Sequence, residues 1–204
     1  MSDGRARSRS VMTGLVVFAV LLCAQSAFGQ TRPHLSEVFQ SPVTIEITTG
    51  TGADAETVEG VGEVTHDQPA GKAREFYHFE DGPPSDTITR YDLGKIFHFD
   101  PPECDVTVVT GTMPLFWDWV AQSKQGDAVD VNGISGTLWV STGTPPAPTQ
   151  ILAATNDGTT ALYYEVRSTG SVTPQQTVRI TFLKWQTTFK QKPNLFKPPG
   201  KCLK

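Results

Sequence analysis

Strict alternation of apolar and polar residues over short runs governs what this chain can fold into. Residues 43–48, Val-Thr-Ile-Glu-Ile-Thr, put apolar side chains on one side and polar ones on the other, as a half-buried antiparallel strand does. Comparable runs recur at 74–80, 87–91, 95–100 and 104–109, and again at 134–140, 150–154, 160–166 and 177–183. Turn chemistry separates them. The prolines of residues 81–85 exclude both helix and ladder, Asp92-Leu93-Gly94 suits a tight connection, and Asn156-Asp157-Gly158 is a hairpin signal. One stretch breaks the pattern: Pro114 and the residues up to Ser123 predict a short helix with Phe116, Trp119 and Val120 on its apolar side. The fold class is therefore mainly β. It reads as a single domain, a curved antiparallel sheet or half-barrel of about eight to ten strands with one intervening short helix.

The first residues read as an address. Arg5, Arg7 and Arg9 precede an apolar run over 11–22, and small residues follow up to Gly29. This pattern predicts a signal peptide over 1–29 and a mature domain over 30–204. The run falls short of the ~20 apolar residues of a membrane span, so the product is expected to be secreted and extracellular, with no transmembrane anchor. Cys23 would leave with the signal, and Cys104 and Cys202 would remain. In an oxidising compartment two cysteines most simply pair with each other, the alternative being a free thiol on each. No Asn-x-Ser/Thr sequon occurs.

Charge is laid out unevenly. Every acidic residue lies at or before Glu165, whereas Arg167, Arg179, Lys184, Lys190, Lys192, Lys197, Lys201 and Lys204 follow it. Two explanations compete. The basic tail neutralises an acidic body, or Lys190, Lys192 and Lys197 form a basic surface for an anionic glycan, a lipid or an acidic protein partner. A net charge of −4 argues against nucleic acid as a partner.

Alternation also names a candidate ligand lining. Phe97 and Phe99 share a strand face, as do Leu138 and Val140, then Leu162, Tyr164 and Val166, then Val178, Ile180 and Phe182. If these faces converge they line an apolar concavity for a lipid or another hydrophobic small molecule; the alternative is a filled core made of the same residues. Catalytic signatures are missing: there is no Gly-x-Ser-x-Gly elbow, no His-Glu-x-x-His pair, no phosphate-cradling loop and no Cys-x-x-Cys. His78 and His98 each sit two residues from an acid, without a recognised metal-ligand spacing. No catalytic residue, metal or cofactor is expected, and the reading is a non-enzymatic binder; the lesser alternative is a small secreted hydrolase with a carboxyl pair drawn from acids such as Glu80, Asp81, Asp100, Glu103 and Asp105. Trp117, Trp119, Trp139 and Trp185 suit either packing or a carbohydrate platform.

A set of small motifs then comes together: Cys104, Pro114-Leu-Phe-Trp117 with Trp119, Gly126, residues 131–139, the tyrosines 163 and 164, Phe182, and the closing Phe196-Lys-Pro-Pro-Gly-Lys-Cys202. Over roughly 41–202 the chain resembles the ependymin-related secreted proteins, and the related domain ahead of some eukaryotic papain-like proteases. The resemblance implies a curved antiparallel sheet of the bacterial lipoprotein-carrier (LolA-like) type with a hydrophobic concavity. It also implies a Cys104–Cys202 bridge, secretion and non-enzymatic binding.

Overall fold

The computed structural model describes residues 31–168 and 174–203, so the signal peptide expected over 1–29 and the start of the domain at residue 30 lie outside the described residues. Among the described residues eleven strands form one antiparallel sheet, open and curved. They are β1 Val38–Thr49, β2 Glu56–Asp67, β3 Lys72–Phe79, β4 Ser85–Arg90, β5 Lys95–Asp100, β6 Glu103–Val108, β7 Lys124–Val131, β8 Ile134–Thr142, β9 Thr149–Thr155, β10 Ala161–Arg167 and β11 Gln176–Phe182. The expectation of a mainly β, curved antiparallel sheet is borne out, with more strands than alternation alone counts. The additions are β2 and β7, whose charges and glycines hide the period-two signal. No helix among the described residues is long and apolar enough to cross a membrane.

The strand order is β6-β5-β4-β3-β2-β1-β11-β10-β9-β8-β7. Two meanders, β1–β6 and β7–β11, are thus joined through the β1–β11 pair, in which Val43 faces Phe182 and Ile45 faces Ile180. The two strands that flank residues 109–123 stand at opposite edges of the sheet, so this connector crosses from one edge to the other.

The expected helix within the connector is not formed. Residues 118–122 make a single 3-10 turn, Asp118–Gln122, and the rest is irregular. Aromatic and β-branched residues are mediocre helix formers, and Trp117 and Val120 are both buried in the sheet's main cluster, so tertiary packing decides the backbone path.

Residues directly opposite on neighbouring strands share a face. One face carries Trp139, Leu152, Tyr164, Ile180, Ile45, Gly60 and Phe79 as a single cross-strand row. Tyr77 of β3 and Trp139 of β8 belong to one hydrophobic cluster on this side although five strands lie between them, which identifies it as the inner face. Glycines on β2 allow the close approach. A Cβ on Gly62 would sit 2.0 Å from the carbonyl oxygen of Phe76 and 2.9 Å from the ring of Tyr77.

The outer face carries a smaller cluster of Ile88, Phe97, Leu195, Phe196 and Cys202, with Phe99, Cys104 and Phe189 against it. The tail is drawn there by the Cys104–Cys202 disulfide, Cα–Cα 5.5 Å, which spans a separation of 98 residues. Arg74 and Arg90 hold the tail's backbone, donating to the carbonyl oxygens of Leu195 (3.2 Å) and Phe196 (3.0 Å).

Candidate functional site

The inner face is organised around Phe39, which is fully buried. Trp185 stacks on it at 4.4 Å and His66 at 5.4 Å, while Phe116 and Phe182 meet it edge-on at 5.7 and 6.2 Å. Trp117 lies 6.0 Å and Trp119 5.8 Å from the ring of Tyr164. Rings from β1, β2, β10, β11, the connector and the start of the tail therefore form one continuous aromatic body, with the offset and edge-on geometries that ring quadrupoles favour.

Side chains just outside the ends of β1 and β2 anchor the connector. The Glu37 carboxylate accepts from the backbone N–H groups of Phe116 (2.8 Å) and Trp117 (3.1 Å). Gln68 donates to the carbonyl of Met113 (3.0 Å), and the Arg32 guanidinium donates to the carbonyls of Ala121 and Ser123. Most of the connector's polar demands are met from outside itself.

Three demands are not met. Among the described residues the buried side-chain atoms without a hydrogen-bond partner are the indole Nε1 groups of Trp117, Trp119 and Trp185. All three belong to the inner-face cluster. A buried unpaired donor costs ~1–3 kcal/mol, so three in one cluster are a substantial unpaired hydrogen-bonding capacity.

Clefts flank the connector on both sides. One, of about 210 Å³, is lined by His66, Glu75, Tyr91, Ile96, Met113 and Phe116. The other, of about 380 Å³, is lined by His34, Leu35, Glu37, Trp117 and Val120. Leu115 borders both and is 48% exposed, a large apolar side chain left half in water between the two spaces.

The first cleft has an unusual carboxyl. Tyr77 donates its hydroxyl to Glu75 Oε2 at 3.1 Å. Burial pushes the Glu75 carboxyl above the ordinary range, against the pull of that hydrogen bond and of His98. Burial also holds the Tyr77 phenol well above its usual range, with Glu75 beside it adding to the shift. His66 moves the other way: burial lowers it, although its contact with the Glu37 carbonyl (2.9 Å) opposes the shift. The cleft is thus mainly apolar, with a few hydrogen-bonding groups whose charged forms burial disfavours.

The ten residues read from alternation as a lining divide between the faces. Tyr164, Val166, Val178, Ile180 and Phe182 are on the inner face. Phe97 and Phe99 are on the outer face, where Phe97 packs under the tail. Leu138 and Val140 are also outer, because Trp139 between them turns inward. Leu162 sits in a bulge between Ala161 and Tyr163 and lies over the outer side of Gly136. A single concavity lined by all ten does not form. Alternation fixes which residues go together within a strand but not which face of the sheet they join. His78 and His98 are likewise on opposite faces, opposite Val61 and Asp105 respectively, and share no site.

Phe39, His66, Glu37 and Glu75 carry the inner site without any motif of their own. The available signal was the density of aromatic residues at 116–119 and 182–185 in an otherwise sparse chain.

No family model matches the chain, and no curated protein matches it. Solved structures do. A domain described as an outer membrane lipoprotein-sorting protein domain from Vibrio parahaemolyticus is 9% identical, covers 81% of this chain and 92% of its own, and superposes with a TM-score of 0.36. A DUF1329 family protein from Desulfovibrio piger is 11% identical, with 79% and 90% covered and a TM-score of 0.38. A LolA superfamily protein from Nitrosomonas europaea is 8% identical, with 82% and 93% covered and a TM-score of 0.36. Two of these three bear lipoprotein-sorting or LolA names, the carrier type named by the sequence resemblance, and none of the three is described as ependymin-related. At such TM-scores the likeness carries nothing about ligand or activity.

Proposed function

We propose that this protein is a non-enzymatic binder of an amphiphile, a lipid-like molecule with an apolar chain and a hydrogen-bond-accepting head, held on the inner face beside the connector. The observation that carries this reading is the set of three buried, unpaired indole N–H groups in one aromatic cluster. An acyl chain suits the apolar clefts on either side of Leu115, and an ester, amide or carboxyl head supplies the acceptors. The space is partly occupied by the connector itself, so binding proceeds with a shift of residues 113–121 rather than into an open bowl. The Cys104–Cys202 bridge supports a secreted, oxidising setting.

Extraction and mass spectrometry of the purified protein, combined with tryptophan emission during titration with a long-chain fatty acid and its methyl ester, test the proposal. The expected result is saturable binding with a change in emission. Replacing Trp117 with Phe keeps an aromatic ring at the position while removing one donor and some buried area, and is expected to weaken binding several-fold. A protein that carries no lipid and whose emission responds to neither probe overturns it.

A further inference from the structure

The basic tail poses a question of its own. If it served to neutralise the acidic body, its lysines would pair with carboxylates. Among the described residues, Lys184, Lys190, Lys192, Lys197 and Lys201 make no ion pair; the pairs are formed by Lys72, Arg74, Arg90, Arg167 and Arg179, with His66 beside Glu37. The tail is instead laid on a part of the outer face that is already cationic. Lys72 of β3 lies directly opposite Arg90 of β4, and Arg90 directly opposite Lys95 of β5. Like charges in cross-strand register repel, and this row is ended by one acid, Asp67 of β2, directly opposite Lys72.

The tail adds to this row. Gln191, Lys192, Asn194 and Lys197 close a pocket of about 380 Å³ whose floor carries Lys72 and Arg90. Two acids stand nearby, and both are engaged. Asp92 takes two hydrogen bonds from Arg90, at 2.7 and 2.8 Å, and faces Lys72 at 3.7 Å. Asp67 accepts from the Ala70 N–H and from the Gln191 amide. Five cations therefore surround two acids, and two of the cations come from a segment clamped in place by the disulfide and by the Arg90–Phe196 contact.

We infer that the tail completes an oxyanion pocket on the outer face, with Lys72, Arg90, Lys192 and Lys197 as its cations and the Gln191 and Asn194 amides as neutral donors, and that it takes a phosphate or sulfate group. The pocket is compact and polar, which fits one tetrahedral anion with a small attached group. Lys190 does not line it. The site lies on the opposite face from the amphiphile cleft and does not depend on that reading.

Calorimetric titration of the full chain at low salt tests the site with inorganic phosphate, inorganic sulfate, a sulfated disaccharide and vesicles containing phosphatidic acid. Saturable binding of one or more of these is expected, and which of them binds identifies the source of the anion. A double Lys192→Gln, Lys197→Gln variant should bind at least about tenfold more weakly, whereas Lys190→Gln should stay within about twofold of wild type. All three lysines are exposed, so folding is not at risk. Absence of saturable binding to all four probes overturns the site. Equal weakening by Lys190→Gln also overturns it, since that would show a diffuse charge effect rather than a pocket.

Discussion

The connector 109–123 lies on the inner face and the tail, once past Trp185, lies on the outer face, yet different forces hold them. The connector is held by packing, by its own N–H groups donating to Glu37, and by hydrogen bonds donated by Gln68 and Arg32. The tail is held by a covalent bridge reinforced by Arg74 and Arg90 on its carbonyls. Contacts of the first kind are individually worth ~1–3 kcal/mol and exchange readily, whereas a disulfide does not exchange without redox chemistry. The unpaired donors also divide unevenly: the three buried indole groups all belong to the inner cluster, two of them on the connector itself. The inner side is built to trade partners, and the outer side is built to hold a segment still.

Four measurements can break or sharpen that contrast. The largest effect is expected from Cys202→Ser. Opening a loop of 98 residues should lower stability by ~4–5 kcal/mol in the chain-entropy account. Guanidinium unfolding checks the loss, and limited proteolysis should now cut after Trp185 while sparing the connector. Next comes Phe39→Ala, which empties the centre of the aromatic body and should cost ~3–5 kcal/mol. Its companion readout is ligand retention, which should fall in this variant and survive in Cys202→Ser.

A smaller change, ~1–3 kcal/mol, is expected for Glu37→Ala, which strips the acceptor from two connector amides. Amide hydrogen exchange should quicken at Phe116 and Trp117 and stay unchanged in the tail; equal quickening in both would erase the distinction drawn between them.

The least effect, and one of sign rather than size, concerns Glu75. Burial raises its carboxyl in the folded protein, so over the interval between the ordinary carboxylate value and the raised one the folded chain holds a proton that the unfolded chain has lost. Stability is complete below that interval and falls as pH rises through it. Glu75→Gln should abolish this fall, so the variant gains on the wild type as pH rises and then runs parallel to it. Stability curves that stay parallel throughout would show that Glu75 does not titrate abnormally.

Much of the frame was legible in the residues. Runs such as 43–48 and 177–183 alternate cleanly because one side faces the core and the other water, and both became strands. β2 was not legible, for a physical reason. Its inner positions include Gly60 and Gly62, and the apolar cover there is lent by Phe79 and Tyr77 from the neighbouring strand. A strand that borrows part of its hydrophobic face leaves only a remnant in its own sequence, here Val64. The inner site was hidden in a similar way. Glu37 meets Phe116 from 79 residues away, and no local pattern reports a partner at that distance. The helix expected in the connector failed because its aromatic residues pack into the sheet.

The edge-to-edge course of the connector has a geometric consequence. From Val108 to Lys124 it runs sixteen Cα–Cα steps, five of them tightened into a 3-10 turn, and so reaches at most roughly 50 Å even when the rest is fully extended. Eleven strands laid flat would measure about 48 Å from edge to edge. The chain between β6 and β7 is therefore a bowstring that would have to be drawn almost straight to bridge a flat bow, and whatever length it spends on seating Phe116, Trp117 and Val120 has to be returned by bending of the strands. Curvature in this protein is tied to tether length as well as to side-chain packing.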